Sequence, residues 1–407
     1  MTDNRRYNSN FSVIENADHK IEMLCTMRAK VIHGGSLPAV IEDRLSKELS
    51  IIKENVGASA YLIAHKLVKK SNEAGYLVAS RGAVGSSLVA YLLGITEVDP
   101  IKYDLPFEVF LGLNGEKRPD FGLNFALEQK EEIVKYLTSL FGEGRVACGG
   151  ATLVCRATGD IYYGAHPGKY FIVPDGKKIE DFASLISVSE ESHTLSVTQV
   201  HSYVLEDRLL HVDIFSHDGL TIIRKLEIIT GISAKVILLD DEKTLSLLKS
   251  ADTDGVPGFD TEFVRYIIKE AKPERFDDFA KIIGLSHNSN MWLDNAEMLI
   301  KHGVASLQEV IAHRDEVMMY LMGKGISREE AYEIMERVWR ERGLLPEEEA
   351  LMSSVGVPDW YTNSCKKIGY LFPKTHSLQY TMMAFRIAWY KAHYPDVFER
   401  VMKEMNA

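Results

Sequence analysis

The sequence has little of what several function classes require. Its four cysteines (Cys25, Cys148, Cys155, Cys365) form no CxxC pair, so neither a zinc ribbon nor a disulfide framework is indicated. No apolar run reaches membrane-spanning length, and the N-terminus is polar. A net charge of −11 argues against a uniformly basic nucleic-acid surface while leaving room for a local basic groove. The GxxxxGK[ST] phosphate loop, tandem repeats and low-complexity linkers are absent. What is present is ordinary for a soluble globular protein: 46% hydrophobic and 26% charged residues in a chain of 407, long enough for two or three domains. A reducing cytoplasm is the default setting for such a chain.

One stretch, Arg118-Pro119-Asp120-Phe121-Gly122-Leu123-Asn124-Phe125, is itself marked by an absence. Pro119 breaks a helix, and the alternation after it reads as a short strand. Residues two apart on a strand share a face, so Asp120 and Gly122 point the same way. A metal-dependent phosphoryl-transfer site often places two carboxylates there to hold magnesium. Here one is a glycine.

A second strand is read over Arg208–Phe215, where Leu209, His211, Asp213 and Phe215 share one face. Asp213 in so apolar a strand is usually a solvated edge residue. Paired in space with Asp120, it becomes a metal ligand. The third feature is Arg81-Gly82-Ala83-Val84-Gly85-Ser86-Ser87, between a predicted strand (Tyr76–Ser80) and a predicted helix (Leu88–Leu93). That order presents backbone N–H groups and a helix N-terminus to an anion. A tight turn with small residues for packing is the alternative reading.

The remaining punctuation predicts a helix around His19–Ile32, a second opened by Pro38 with Ile41, Leu45, Leu49 and Ile52 on one face, and a third over Ala58–Ala74. A helix is expected over Glu128–Phe141, a glycine- and threonine-rich segment over Val146–Thr158, and a structural turn at Ala165-His166-Pro167-Gly168. Short strands follow at Tyr170–Val173 and Leu195–Leu205, the latter reaching the next strand through Glu206-Asp207. From His217 the pattern is helical, with Gly231 as a C-cap, capping-box spacing at Ser306/Glu309 and Ser327/Glu330, and a last long helix over Thr375–His393. Asp252-Thr253-Asp254-Gly255 reads as a capping turn, since the later ligands of a calcium loop are missing.

Together the runs LIAHKLVKKS, GYLVASRGAVGSS, GITEVDP, LPFEVFLG, RPDFGLNF, LLHVDIFSHD, GLSHNSNMWLDNAE and FPKTHSLQYTMMAFRIAWYKAHYP resemble the PolC-type alpha subunit of bacterial DNA polymerase III, a C-family polymerase. They extend from about Ser36 to Pro395 and cover its palm and fingers. The resemblance implies an N-terminal arm and helix (1–35), an α/β palm of the nucleotidyltransferase, polymerase beta type (36–216) and an all-helical fingers domain (217–407). In such polymerases a Gly-Ser turn cradles the incoming triphosphate, three aspartates hold two magnesium ions, and the fingers close over nucleotide and template. Carried over residue by residue, Asp120 and Asp213 are the catalytic and metal-binding pair. Arg81, Gly82, Gly85, Ser86, Ser87, His211, Lys374 and His376 are the nucleotide-binding set.

The departures from that pattern are specific. The family's Asp-x-Asp is Asp120-Phe121-Gly122, and its lysine two positions before the third aspartate is His211. The zinc insertion before LPFE is absent, and the segment between Val146 and His166, where the thumb belongs, is much shorter. Exonuclease, PHP, OB and clamp-binding regions are not expected in this length. These departures imply a single Mg2+ (or Mn2+), a dNTP or other nucleoside triphosphate as ligand, weak DNA binding, no membrane, and a protein partner supplying thumb or clamp functions. Three functions follow: a nucleotide-binding palm–fingers core with polymerisation weak or lost, an active minimal nucleotidyltransferase on DNA or another acceptor, or a non-catalytic structural or regulatory partner.

Overall fold

The computed structural model describes residues 14–154, 159–189, 194–206 and 208–406. The first thirteen residues of the expected arm, Cys155 and Asp207 lie outside the described residues. The chain divides into two units, one running to Ile101 and resuming over Phe110–His217, the other comprising Lys102–Val109 and Asp218 onward.

Among the described residues the first unit is built on a seven-stranded mixed sheet in the order β1-β2-β7-β4-β3-β6-β5. Its strands are β1 (Ala79–Arg81), β2 (Gly122–Phe125), β3 (Val146–Val154), β4 (Ile161–Ile172), β5 (Leu185–Ser189), β6 (Thr194–His201) and β7 (Leu210–Ser216). Helices Ala17–His33, Ala39–Ile51, Ser59–Glu73 and Lys130–Phe141 form where the periodicity places them. Ile41, Leu45, Leu49 and Ile52 are all buried, as one apolar helix face should be. Phe121 anchors the approach to β2, with its ring edge-on to Tyr61 and Phe110 at 4.8 and 5.5 Å.

Five local expectations change. The strand expected over Tyr76–Ser80 is only Ala79–Arg81, and β2 begins at Gly122, so Asp120 stands just before it. The glycine-rich segment from Val146 is a nine-residue strand, and the expected turn at Ala165–Gly168 lies within twelve-residue β4. Pro167 is tolerated because the ladder jumps there, from Ala165 opposite Gly150 to Tyr170 opposite Cys148. The extra residues form a bulge that requires no N–H from proline. Gly168 is needed there, since a Cβ would come within 2.6 Å of the Phe215 ring. Finally, Ser202–Glu206 is helical rather than strand, which draws Leu205 into the core with Phe171, Val173 and Leu209.

The second unit is helical from Asp218–Thr230 to Pro395–Met405. Its central helix is Lys374–His393, buried along most of its length. Ser327 caps its helix, its hydroxyl accepting from the Glu330 amide at 3.2 Å and donating to the Glu330 carboxylate at 2.6 Å, so the N-cap half of the predicted capping box forms. In the Asp252–Gly255 turn Lys391 pairs with Asp252 at 2.7 Å and Arg265 pairs with Asp254, the arrangement of a tied surface turn.

Candidate metal centre

The site grows from strand register. Arg81 pairs with Gly122 across β1 and β2, Gly122 with Asp213 across β2 and β7, and Asp213 with Lys169 across β7 and β4. Four positions therefore stand in one row on one face: a cation, a residue without a side chain, a carboxylate and a second cation. Asp120 joins this face from the segment before β2, which is held to β7 by the Asp213 amide donating to the Phe121 carbonyl at 3.0 Å. His211, two residues before Asp213, is on the same face. Asp120, His211 and Asp213 each offer a ligand atom within 4.8 Å of the others.

Charge is finely divided here. Burial pushes the Asp213 carboxyl up to about 7, helped by repulsion from Asp120 and opposed by the Lys169 ammonium. Asp120 is also raised, through desolvation against the sheet, with Lys169 and Arg81 pulling the other way. Burial works against the Lys169 charge, yet Asp213, Asp120 and Glu206 outweigh it and hold the lysine above its ordinary value. Its Nζ lies 3.1 Å from Glu206 Oε1 and 3.5 Å from Asp213 Oδ1. That second separation is long for a hydrogen bond, and Asp213 Oδ1 is buried without one. Burial, with Lys169 and Arg118 nearby, pushes His211 down to about 3, so the imidazole is neutral.

A buried oxygen without a hydrogen bond, facing a second carboxylate and a neutral imidazole, is a donor set that fits a divalent cation. The set holds two carboxylates. The row that would place a further carboxylate beside Asp213 holds Gly122, with Arg81 Cβ 3.1 Å from where a Cβ would stand.

The glycine turn is built differently from a simple anion cradle. Glu48, fully buried, accepts from the Ser87 hydroxyl at 2.8 Å and from the Leu88 and Val89 amides at 2.9 and 3.1 Å. It thereby takes up two of the free N–H groups that open helix Leu88–Leu92. Arg44 locks this arrangement by pairing with Glu48 at 2.6 Å and donating to the Ser86 carbonyl at 2.8 Å. Gly85, Ser86 and Ser87 are buried, Gly82 is half-buried at φ +68°, and Arg81 is exposed with its guanidinium over the Phe215 ring at 4.8 Å. Lys374 and His376 lie in the second unit, at the start of its central helix. The Lys374 Nζ donates to the Tyr103 carbonyl at 3.2 Å, and His376 stacks on Phe372 at 4.9 Å.

Sequence reasoning missed Lys169, Glu206 and Glu48. Lys169 was hidden because 165–168 reads as a turn, and Glu206 because it reads as part of the connection between two strands. His166 has structural partners: its Nδ1 accepts from the Lys169 amide at 3.1 Å and the Gly168 amide at 3.3 Å.

A carboxylate pair set on one strand and just before its neighbour, in an α/β unit followed by a helical one, is the arrangement of a nucleotidyltransferase-type palm with polymerase fingers. The family model of the bacterial DNA polymerase III alpha NTPase domain matches residues 19–158, and that of the alpha subunit finger domain matches 219–353. The chain belongs to the bacterial DNA polymerase III alpha family. It is similar to the PolC-type DNA polymerase III of Caldanaerobacter subterraneus subsp. tengcongensis, with 37% identity over 95% of this chain and 34% of that one. The Bacillus subtilis PolC-type enzyme is 36% identical over 94% of this chain and 33% of its own, and that of Thermotoga maritima 35% identical over 95% and 35%. The chain thus spans about a third of the length of the curated relatives it matches. The first of these alignments runs over 478 residues, longer than the chain of 407, so that relative carries segments without a counterpart here. No described helix is long and apolar enough to cross a membrane.

Proposed function

We propose that this chain is a PolC-like palm–fingers core that binds a nucleoside triphosphate through a single divalent cation and polymerises DNA weakly or not at all. One observation carries the reading: the row Arg81–Gly122–Asp213–Lys169 presents two cations and one carboxylate, beside Asp120, where phosphoryl transfer by two metals needs more carboxylate. Asp120 and Asp213 hold the ion. When bound, the ion neutralises and orients triphosphate oxygens. Arg81 and the Gly82–Gly85 backbone face the phosphates, while Ser86 and Ser87 shape the turn through Glu48. His211 borders the ion.

Without a third carboxylate, the chain stabilises an attacking 3′-oxygen poorly. The loss is a few kcal/mol of transition-state stabilisation, roughly two to four decades in rate. DNA contact rests on phosphate neutralisation, which an acidic chain supplies sparingly. A partner providing duplex grip completes this reading.

Primer extension with Mg2+ and with Mn2+, beside calorimetric dNTP binding, tests it. Metal-dependent dNTP binding with negligible extension is expected. Extension at rates typical of a polymerase would establish the active-nucleotidyltransferase reading, and absence of dNTP binding would establish the structural-partner reading.

A further inference from the structure

Gly122 is the register partner of Asp213, and His211 lies with Asp120 and Asp213 in the same cluster. We propose that His211 is a third metal ligand, making this a two-carboxylate, one-imidazole site that prefers manganese(II) and similar imidazole-accepting dications to magnesium. The proposal rests on the reading that Asp120 and Asp213 hold a dication, and it deepens that reading by naming the ion class.

Geometry supports it first. The three ligand atoms lie within 4.8 Å of one another. Donors about 2.1 Å from a common ion are about 3 Å apart when adjacent and about 4 Å apart when opposite. Small side-chain rotations therefore close the set around one ion. His211 and Asp213 reach it from alternate positions of β7, and Asp120 reaches it from the segment hydrogen-bonded to that strand.

The imidazole is also held as ligating imidazoles are. One ring nitrogen is hydrogen-bonded to the Leu209 carbonyl, which leaves the other as a lone-pair donor. The ring is buried and packs at a tilt on Phe171, 5.9 Å between centroids. A buried Asp213 oxygen without a hydrogen bond faces the same space.

The chemistry then sets the preference. An ammonium at position 211 would offer no lone pair and would repel a dication, whereas a neutral imidazole does neither. Replacing one carboxylate oxygen by an imidazole nitrogen weakens the site for Mg2+, which demands oxygen ligands, and suits first-row transition ions. Lys169, paired with Asp213 and Glu206, lowers the net negative charge and favours an ion bound by covalent donor strength over one bound by charge alone.

Pulsed EPR of the full chain loaded with Mn2+ tests the ligand directly. The expected result is nitrogen-14 coupling from one coordinated imidazole, lost in His211→Gln and in His211→Ala and retained in His201→Ala. Competition titration should show Mn2+ preferred to Mg2+ by tenfold or more in the unaltered chain, falling several-fold in His211→Gln. Mn2+ bound without nitrogen coupling, or coupling that survives His211→Gln, would overturn the proposal while leaving the carboxylate pair intact as a metal site. No Mn2+ binding, or binding indifferent to Asp213→Asn, would overturn the metal site itself. Should His211→Ala fail to fold by circular dichroism, the unaltered chain and His211→Gln still decide the matter.

Discussion

Restoring the missing carboxylate by Gly122→Asp perturbs the site at its most informative position. Gly122 does not have a positive φ, so a side chain meets no backbone strain. Its Cβ would meet Arg81 Cβ at 3.1 Å, a contact that requires the Arg81 backbone on the paired strand to give by a few tenths of an ångström. The new carboxylate would stand beside Asp213, the register partner of position 122. Neighbouring Cβ atoms on paired strands are about 5 Å apart. A carboxylate about 4 Å from a dication at an effective dielectric constant of ~20 gains about 8 kcal/mol of gross attraction. Desolvating both groups cancels most of that, leaving about 2–3 kcal/mol, roughly a 30- to 150-fold tighter ion. Without metal, repulsion from Asp213 opposes the change and Arg81 offsets it. Calorimetric titration with Mn2+ and Mg2+, together with a thermal melt of each form, reads both effects. The expected outcome is tighter metal and dNTP binding while primer extension stays negligible, because DNA contact still rests on phosphate neutralisation that an acidic chain supplies sparingly. A folded Gly122→Asp protein with unchanged metal and dNTP affinity would refute the shared-site reasoning and favour a structural role.

Other perturbations have signs fixed by the same geometry. Lys169→Met removes a cation 3.5 Å from Asp213, so divalent affinity should rise by about tenfold while the metal-free protein, with the buried Asp213 left without its ammonium partner, melts earlier. Because the folded-state pKa of Asp213 is raised to about 7 from an ordinary 3.8, the metal-free protein should lose stability as pH rises through about 7 and recover it towards 3.8. Metal affinity should run oppositely, falling as pH drops below 7; a flat titration from pH 5.5 to 8.5 would contradict this. Glu48→Ala leaves the Leu88 and Val89 amides and the Ser87 hydroxyl without their buried partner, and should cost about 3–5 kcal/mol by urea denaturation, dNTP binding aside. Arg81→Ala should weaken dNTP binding several-fold by calorimetry with little change in melting temperature, since its side chain is exposed.

Much of the palm and its centre was legible because short motifs determine it. Pro119 ended helix formation, alternation set Asp120 and Gly122 on one face, and alternation again set His211 with Asp213. What stayed hidden depended on pairing between distant strands. Lys169 becomes part of the site only through its register with Asp213, and the bulge at His166–Gly168 that allows this reads locally as a turn. Glu206 reaches Lys169 from the end of the helical Ser202–Glu206 segment, which buries Leu205 where the local pattern reads as strand and connection. The use of Glu48 to close a helix N-terminus 39 residues away likewise leaves no local trace. The helical unit was easier, since its caps and apolar periodicity are local signals.

The most direct measurement is calorimetric titration of dNTP into the full chain with Mn2+, repeated in EDTA and in Asp213→Asn. The expected result is binding that needs the ion, with one ion per chain, and that disappears in EDTA and in the variant. Binding of equal strength in all three would contradict a palm site in which Asp120 and Asp213 hold the cation that receives the triphosphate.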